Sequence, residues 1–188
     1  MEDKSRTPAH WEQLSEEEVA DCKVFKVLRR KMRNPSNGKE GDFSVIKAFN
    51  WVVAIAETVD HNYVIVNQFR FGSKALSWEF PAGCIDENED PISAAERELR
   101  EESGYLPQAP GRIIGKARPN PALQDNDCWF VLFEQVSDSG KTEWDEHEQL
   151  ECKELPLKDI LSMTRSGEMS HAMAHAALFF LLQHKTKP

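Results

Sequence analysis

No stretch of this sequence approaches the roughly 20 consecutive apolar residues that a membrane-crossing helix requires, so association with a bilayer is not expected. Its first residues, Met1 to Glu17, lack the basic start and apolar run of a secretory signal, which argues against export. Cysteine is sparse: Cys22, Cys84, Cys128 and Cys152 show no Cys-x-x-Cys spacing. That disfavours a disulfide frame or a zinc site and suits buried or free thiols in a reducing cytoplasm. A basic surplus is also missing, with 23 Lys and Arg against 32 Asp and Glu and a net charge of −9. Nonspecific attraction to a nucleic-acid backbone is therefore not expected, although most of the acidic excess needs no explanation beyond solubility. There is no internal repeat and no low-complexity segment.

What remains is the composition of a soluble globular protein, 40% hydrophobic and 29% charged over 188 residues, long enough for one domain with a small extension. After a polar lead, Cys22 to Met32 alternates apolar and basic residues as a half-exposed strand does, and Asn34-Pro-Ser-Asn-Gly38 reads as a turn. Phe43 to Phe49, Trp51 to Val59 and Tyr63 to Phe69 follow as strands, the last two joined by Asp60-His-Asn62. Ser77 to Phe80 is extended and stops at Pro81-Ala-Gly83. Arg112 to Ala117, Cys128 to Val136 and Gln149 to Leu155 read as later strands, and Pro156 to Thr164 and Ser170 to Gln183 as closing helices. Strands on both sides of a central helix indicate a mixed α/β (α+β) protein rather than a regular βαβ series.

The central helix has the best marked boundaries. Asp90 is placed to cap it, Pro91 takes the first helical position, and Gly104 supplies a left-handed stop after Ser103. On a helical wheel Ile92, Ala95 and Leu99 form a narrow apolar stripe, with Glu98, Glu101 and Glu102 clustered beside it. Glu98 facing Glu102 at i,i+4 costs a few tenths of a kcal/mol unless a cation lies between them. Magnesium accepts such carboxylate oxygens while keeping waters or phosphate oxygens. Taken alone, the pattern is equally that of a solvated acidic face.

The wider spacing separates these readings. Gly83, then Glu89 after five residues, then Arg97-Glu98-Leu99-Arg100-Glu101-Glu102-Ser103-Gly104-Tyr105 after seven more, fills all nine fixed positions of the Nudix box, with Tyr105 where an aliphatic is commoner. The sequence resembles that family. The resemblance implies the Nudix fold, mixed β-sheets sandwiched between helices, and Mg2+-dependent attack of water on a diphosphate, with Mn2+ as a possible substitute. It implies Glu98 and Glu102 as metal ligands, Glu101 as a ligand or orienting group, and Arg97 as the residue that ties the acids together. His171 and His175 stand at i,i+4 with no third ligand or accompanying zinc-protease glutamate, so both are expected on a helix surface.

The flanks, Gln68-Phe-Arg70 and Trp78-Glu-Phe-Pro-Ala-Gly83, are similar to the ADP-ribose and nucleoside diphosphate sugar pyrophosphatase branch, and the likeness runs roughly from Phe43 to Leu155. It implies that the Ala82 carbonyl ligates metal, that Glu79 lies at the substrate pocket, and that Arg70 pairs with a substrate phosphate, for which a guanidinium is well shaped. Pro121 stands sixteen residues beyond Tyr105, about where ADP-ribose enzymes carry a proline. Asn120-Pro-Ala-Leu-Gln-Asp-Asn126 lacks their usual Ser-Pro-Gly type sequence; Asn120 and Asn126 are candidates to read sugar hydroxyls, against an ordinary Asn/Pro loop. Trp144-Asp-Glu-His-Glu-Gln-Leu-Glu151 resembles the branch's acidic loop, aligning Glu146 with the general base and Glu148 with a further metal ligand.

The resemblance also divides the chain into residues 1–42, an extension that contributes dimerisation strands, and residues 43–188, the catalytic domain. The expected protein is a cytoplasmic homodimer that hydrolyses a nucleotide sugar such as ADP-ribose to nucleoside monophosphate and sugar phosphate. Trp11 and Arg29-Arg-Lys31 are open either to base or phosphate contacts or to packing and solvent. The competing readings are a nucleoside triphosphatase, a dinucleotide or RNA-cap hydrolase, and a sensor that binds nucleotide sugars without cutting them.

Overall fold

The computed structural model describes residues 8–144 and 149–186. They fall into two compact units: the chain up to Phe49 together with Asn120–Asn126, and Asn50–Pro119 together with Asp127–Pro188. In the first unit β1 (Glu12–Asp21), β2 (Phe25–Arg33) and β3 (Glu40–Ala48) form an antiparallel meander. β1 is exposed along its whole length and has no apolar alternation; its residues are EQLSEEEVAD. What aligns it is charge. Glu16 meets Arg30 at 2.6 Å and Glu18 meets Lys26 at 2.8 Å between the two strands, opposite charges that favour this pairing. Arg29 and Lys31 are likewise engaged, by Glu17 and Glu40, so the basic run is neutralised within its own sheet. Trp11 packs edge-on against Phe43. The segment Asn120–Asn126 is tied to β3 by Ile46 N–H donating to Leu123 O at 2.8 Å and by Asp125 N–H donating to Ile46 O at 3.2 Å.

The second unit is built around β4 (Trp51–Thr58) and β5 (Asn62–Arg70), followed by β6 (Ala75–Glu79), β7 (Ala82–Cys84), α1 (Pro91–Ser103), β8 (Tyr105–Pro107), β9 (Arg112–Ala117), β10 (Cys128–Asp138), β11 (Glu151–Pro156), α2 (Leu157–Ser166) and α3 (Ala172–Lys185). The main path of the mixed sheet is β11-β5-β4-β10-β8, with β6 on β5, β7 on β4 and β9 on β10. β4 and β10 run parallel, Trp51 opposite Cys128. β4 is buried on both faces, and its alternation allots residues to two cores. Val52, Ala54 and Ala56 are small and let α1 close in with Ala94, Ala95 and Leu99. Val53 and Ile55 face the other way, with Phe130 and Leu132, against Ala174, Ala177, Leu178 and Leu181 of α3. Each fully buried large side chain contributes about 1.5–3 kcal/mol, so this two-sided sheet is the main source of stability.

Candidate active site

Helix α1 begins and ends where the sequence places it. Asp90 Oδ1 accepts the N–H groups of Ile92 and Ser93 at 3.0 and 3.2 Å, and Gly104 adopts φ 78° with its N–H donating to Arg100 O. Two carbonyls of its last turn are also satisfied: Glu143 N–H donates to Glu101 O at 2.9 Å and Trp144 Nε1–H to Glu102 O at 3.0 Å. Tyr105 buries its ring where an aliphatic is usual and donates its hydroxyl to Glu154 of β11 at 2.5 Å.

The acidic groups are organised by one arginine. Arg97 grips Glu89 with Nε and Nη2 at 3.0 and 2.9 Å, reaches Glu98 with Nη1 at 2.7 Å and Glu101 at 3.3 Å, and donates Nη2 to Cys84 O at 2.9 Å. These hydrogen bonds, that of Glu89 foremost, raise the arginine's already high pKa and hold Glu89 below the usual carboxylate range. Glu102 is buried and its Oε2 accepts the N–H of Ala82 at 2.9 Å, which joins the helix to β7. Gly83 lies directly under the Glu98 carboxylate, whose atoms fill the space that any Cβ at this position would need.

Glu98, Glu101, Glu102 and the Ala82 carbonyl offer only hard oxygen donors, which suits a hard divalent cation. Among the described residues no three His, Cys, Asp or Glu side chains form a metal-holding group. Oxygen donors of this kind can hold an ion through one or two carboxylates, the remaining positions going to water or substrate oxygens. Glu146 and Glu148 lie outside the described residues.

Beside the acidic helix opens a cavity of about 640 Å³, within the range typical of small-molecule sites, and Ala82, Gly83 and Cys84 form part of its wall. Arg70, Glu79 and His171 line it as well. Arg70 makes a two-pronged pair with Glu79, Nε to Oε1 at 2.9 Å and Nη2 to Oε2 at 2.6 Å, and His171 Nδ1 lies 2.7 Å from the same Oε2. The Glu79 side chain is 1% exposed. Burial disfavours its charge, but the Arg70 and His171 contacts outweigh that and hold its pKa at about 2.

His171 corrects a sequence-based expectation. It does not lie on a helix surface: α3 starts two residues later than the apolar pattern predicted, leaving His171 at the N-cap, where its ring turns to Glu79 instead of capping the helix. His175 is inside the helix, its Nε2 on Met169 O at 2.6 Å. The i,i+4 spacing predicts one helix through both histidines, whereas His171 stands at its N-cap, ahead of the apolar run. Asn120 and Asn126 belong to the first unit, where Asn120 O accepts Gln124 N–H and Asn126, 2% exposed, donates its amide to Phe49 O at 3.0 Å.

Residues 47–176 match the NUDIX domain family. An ADP-ribose pyrophosphatase of Bacillus subtilis is 30% identical over 169 residues, which cover 89% of this chain and 90% of that protein. A CMP-5'-(N-acetyl-N-hydroxy-3-aminopropyl)phosphonate hydrolase of Streptomyces rubellomurinus is 25% identical over 158 residues, 84% of this chain and 75% of that one. Among solved structures, an ADP compounds hydrolase shares the fold with a TM-score of 0.81 over 94% of this chain and 95% of its own, at 22% identity.

Proposed function

The chain belongs to the Nudix family, and on that premise we propose that it hydrolyses the pyrophosphate bond of a nucleoside diphosphate sugar, ADP-ribose or a close relative, to nucleoside monophosphate and sugar phosphate. The observation that carries this reading is the cavity of about 640 Å³ that runs from Arg70 to Gly83, under the carboxylate of Glu98. Arg70 lines it, and so do Ala82 and Gly83, the latter beneath the Glu98 carboxylate.

Nudix hydrolases generally use divalent metal ions; Mg2+ is assigned here, with Mn2+ as a substitute. Once bound, such an ion offsets phosphate charge and acidifies the attacking water. Glu98, Glu102 and the Ala82 carbonyl would hold it, with Glu148 as a further ligand. Arg97 keeps Glu89, Glu98 and Glu101 in register through four hydrogen bonds, a fifth going to Cys84 O, and Glu101 orients. Glu146 is assigned as the base that takes the proton of the attacking water. Arg70 meets a substrate phosphate and Glu79 sets the direction of its guanidinium. Asn120 and Asn126 are assigned to sugar hydroxyls, Asn126 being the weaker of the two because its amide is buried and already donated.

A homodimer joined through residues 1–42 fits the exposure of Trp11, Leu14 and Val19 in this unit. No described helix is long and apolar enough to cross a membrane, which is compatible with a cytoplasmic site of action.

The deciding experiment is turnover, with Mg2+ or Mn2+, of a panel of ADP-ribose, other nucleoside diphosphate sugars, a CMP-linked phosphonate, nucleoside triphosphates, dinucleotides and capped RNA. Release of nucleoside monophosphate and sugar phosphate from a sugar-linked diphosphate is expected. Cleavage confined to triphosphates, dinucleotides or caps would overturn the substrate class, and binding of nucleotide sugars without any turnover would favour a sensor.

A further inference from the structure

The hairpin that joins β5 to β6 turns through Phe71-Gly72-Ser73-Lys74. Glycine, serine and a residue in the left-handed region, here Lys74 at φ 54°, are what a tight turn calls for. Phe71 answers no such demand, and it is 76% exposed. Phe69, itself exposed, meets it edge-on with 5.6 Å between ring centroids and stands opposite the exposed Leu76 across the ladder. Isolated exposed apolar side chains need no explanation, but three together on one hairpin do. Phe71 differs from the other two in one respect: with Gly72 and Ser73 of the same turn, it lines the cavity of about 640 Å³.

We propose that Phe71 is the nucleobase receptor of this cavity, its ring stacking on the base of a nucleoside diphosphate and recognising that base by its face. This rests on the reading of the cavity as the site of a nucleoside diphosphate sugar. Arg70, the preceding residue in the chain, lines the same cavity, so a nucleotide whose phosphate meets that guanidinium brings its base within reach of the next side chain. A planar base and a phenyl ring stack favourably, and their contact takes apolar surface of both out of water. Phe69 braces the ring, which reduces the side-chain freedom lost when the base arrives.

The rest of the lining favours recognition by face over recognition by edge. Reading a base edge calls for paired donors and acceptors such as an Asn or Gln amide presents, or for a carboxylate. Among the described residues that line the cavity there is no Asn, Gln or Asp, and the one carboxylate, Glu79, is held by Arg70 and His171. The other aromatic of the lining, Trp51, is half-buried and packed into the core under α3. Every base has a π-face, so purine and pyrimidine nucleotides both enter, the purines with the larger contact.

The test is calorimetric titration of the full chain, with Mg2+, using the α,β-methylene analogue of ADP-ribose, whose P–C–P bridge resists hydrolysis, and the same compound without its adenine. The wild type is expected to bind the complete probe about tenfold more tightly than the base-free one. Phe71→Ala is expected to lose about tenfold on the complete probe and nothing on the base-free one, at an unchanged melting temperature because the ring is exposed. Phe71→Tyr and Phe71→Trp, which keep a π-face, should bind as the wild type does, whereas Phe71→Leu, apolar but without one, should stay near the alanine variant. A cytosine counterpart of the probe should show the same dependence on Phe71. Equal losses on both probes, no loss on either, wild-type affinity in Phe71→Leu, or no binding of the complete probe would each overturn the proposal. So would a smaller sedimenting species for Phe71→Ala, which would assign the ring to contact with a second copy of the chain. Base-dependent binding through Phe71 together with no turnover on any sugar-linked diphosphate would leave the proposal standing and remove only the catalytic reading; turnover with binding indifferent to Phe71→Ala would do the reverse.

Discussion

The carboxylate of Glu98 rests against the α-carbon of Gly83, in the volume a side chain on that glycine would occupy. Gly83 is not among the residues with positive φ, so alanine suits its backbone; the conflict is entirely with a mobile side-chain end. Gly83→Ala is therefore expected to fold, with a melting temperature within a few degrees of the wild type, while Glu98 is pushed off its position. Activity should fall by roughly 10²-fold, the scale at which a misplaced catalytic group is felt, and the metal concentration for half-activity should rise. Melting curves and a Mg2+ titration check this; near-wild-type activity in Gly83→Ala would mean that Glu98 does not work from this place.

Glu98 and Glu102 are not equivalent, and their amide variants should separate. Glu102 is 3% exposed and accepts a backbone N–H, a bond that glutamine can keep through its carbonyl oxygen. Glu102→Gln should thus preserve stability and still lose about 10²–10³-fold in kcat, as when a preorganised electrostatic contact is removed. Glu98→Gln gives up a charge-assisted bond from Arg97, and that guanidinium stays on Glu89 and Glu101. A similar loss of kcat is expected there, with a weaker apparent affinity for metal. Full activity in both variants would refute the metal assignment.

The caps of α1 are separable from its chemistry. Asp90→Ala removes an exposed N-cap and should lower the melting temperature without changing turnover at 25 °C. Gly104→Ala should cost more. It forces alanine to φ 78° and sets its Cβ 2.8 Å from Lys141 O, a backbone atom that cannot swing aside. Chemical denaturation of the two variants checks the order; a smaller loss for Gly104→Ala would contradict this geometry.

These caps also show why α1 was legible in the sequence while other parts were not. Asp90, Pro91 and Gly104 act locally, through the chain's own backbone, and a local signal survives in a linear reading. The strand β1 gives no such signal. Its line of glutamates acquires an alignment only from Lys26, Arg29 and Arg30 on β2, so a polar lead and a paired strand look alike until both are folded. The grip of Arg97 on the acidic groups was implied by the resemblance to the Nudix box, and α1 carries Arg97, Glu98 and Glu101 within little more than one turn. The Arg70–Glu79–His171 cluster was not implied, since its members come from two strands and a helix cap separated by up to 101 residues, and only the packing of α3 brings the imidazole to the carboxylate.

Far from the candidate site, Glu57 at the end of β4 is 6% exposed and receives both Lys185 of α3, at 3.2 Å to each oxygen, and His61 Nδ1 at 2.9 Å. Burial works against its charge, but His61, Lys185 and Tyr63 together hold its pKa below the ordinary value. Its ionised form thus supports folding above the usual carboxylate range, and the support is lost as pH falls through the lowered value. Lys185→Met takes away one partner and leaves burial in place. The variant should lose about 1–3 kcal/mol at neutral pH, toward the lower end because Lys185 is 40% exposed. With less to oppose burial, the Glu57 carboxyl should titrate higher, and the gap between variant and wild type should narrow as pH falls from 7 to 4. Urea unfolding at several pH values measures this. A gap that stays constant with pH would show that Lys185 acts by packing its stem over the Tyr63 ring, 5.6 Å from its ammonium, and not through the carboxylate.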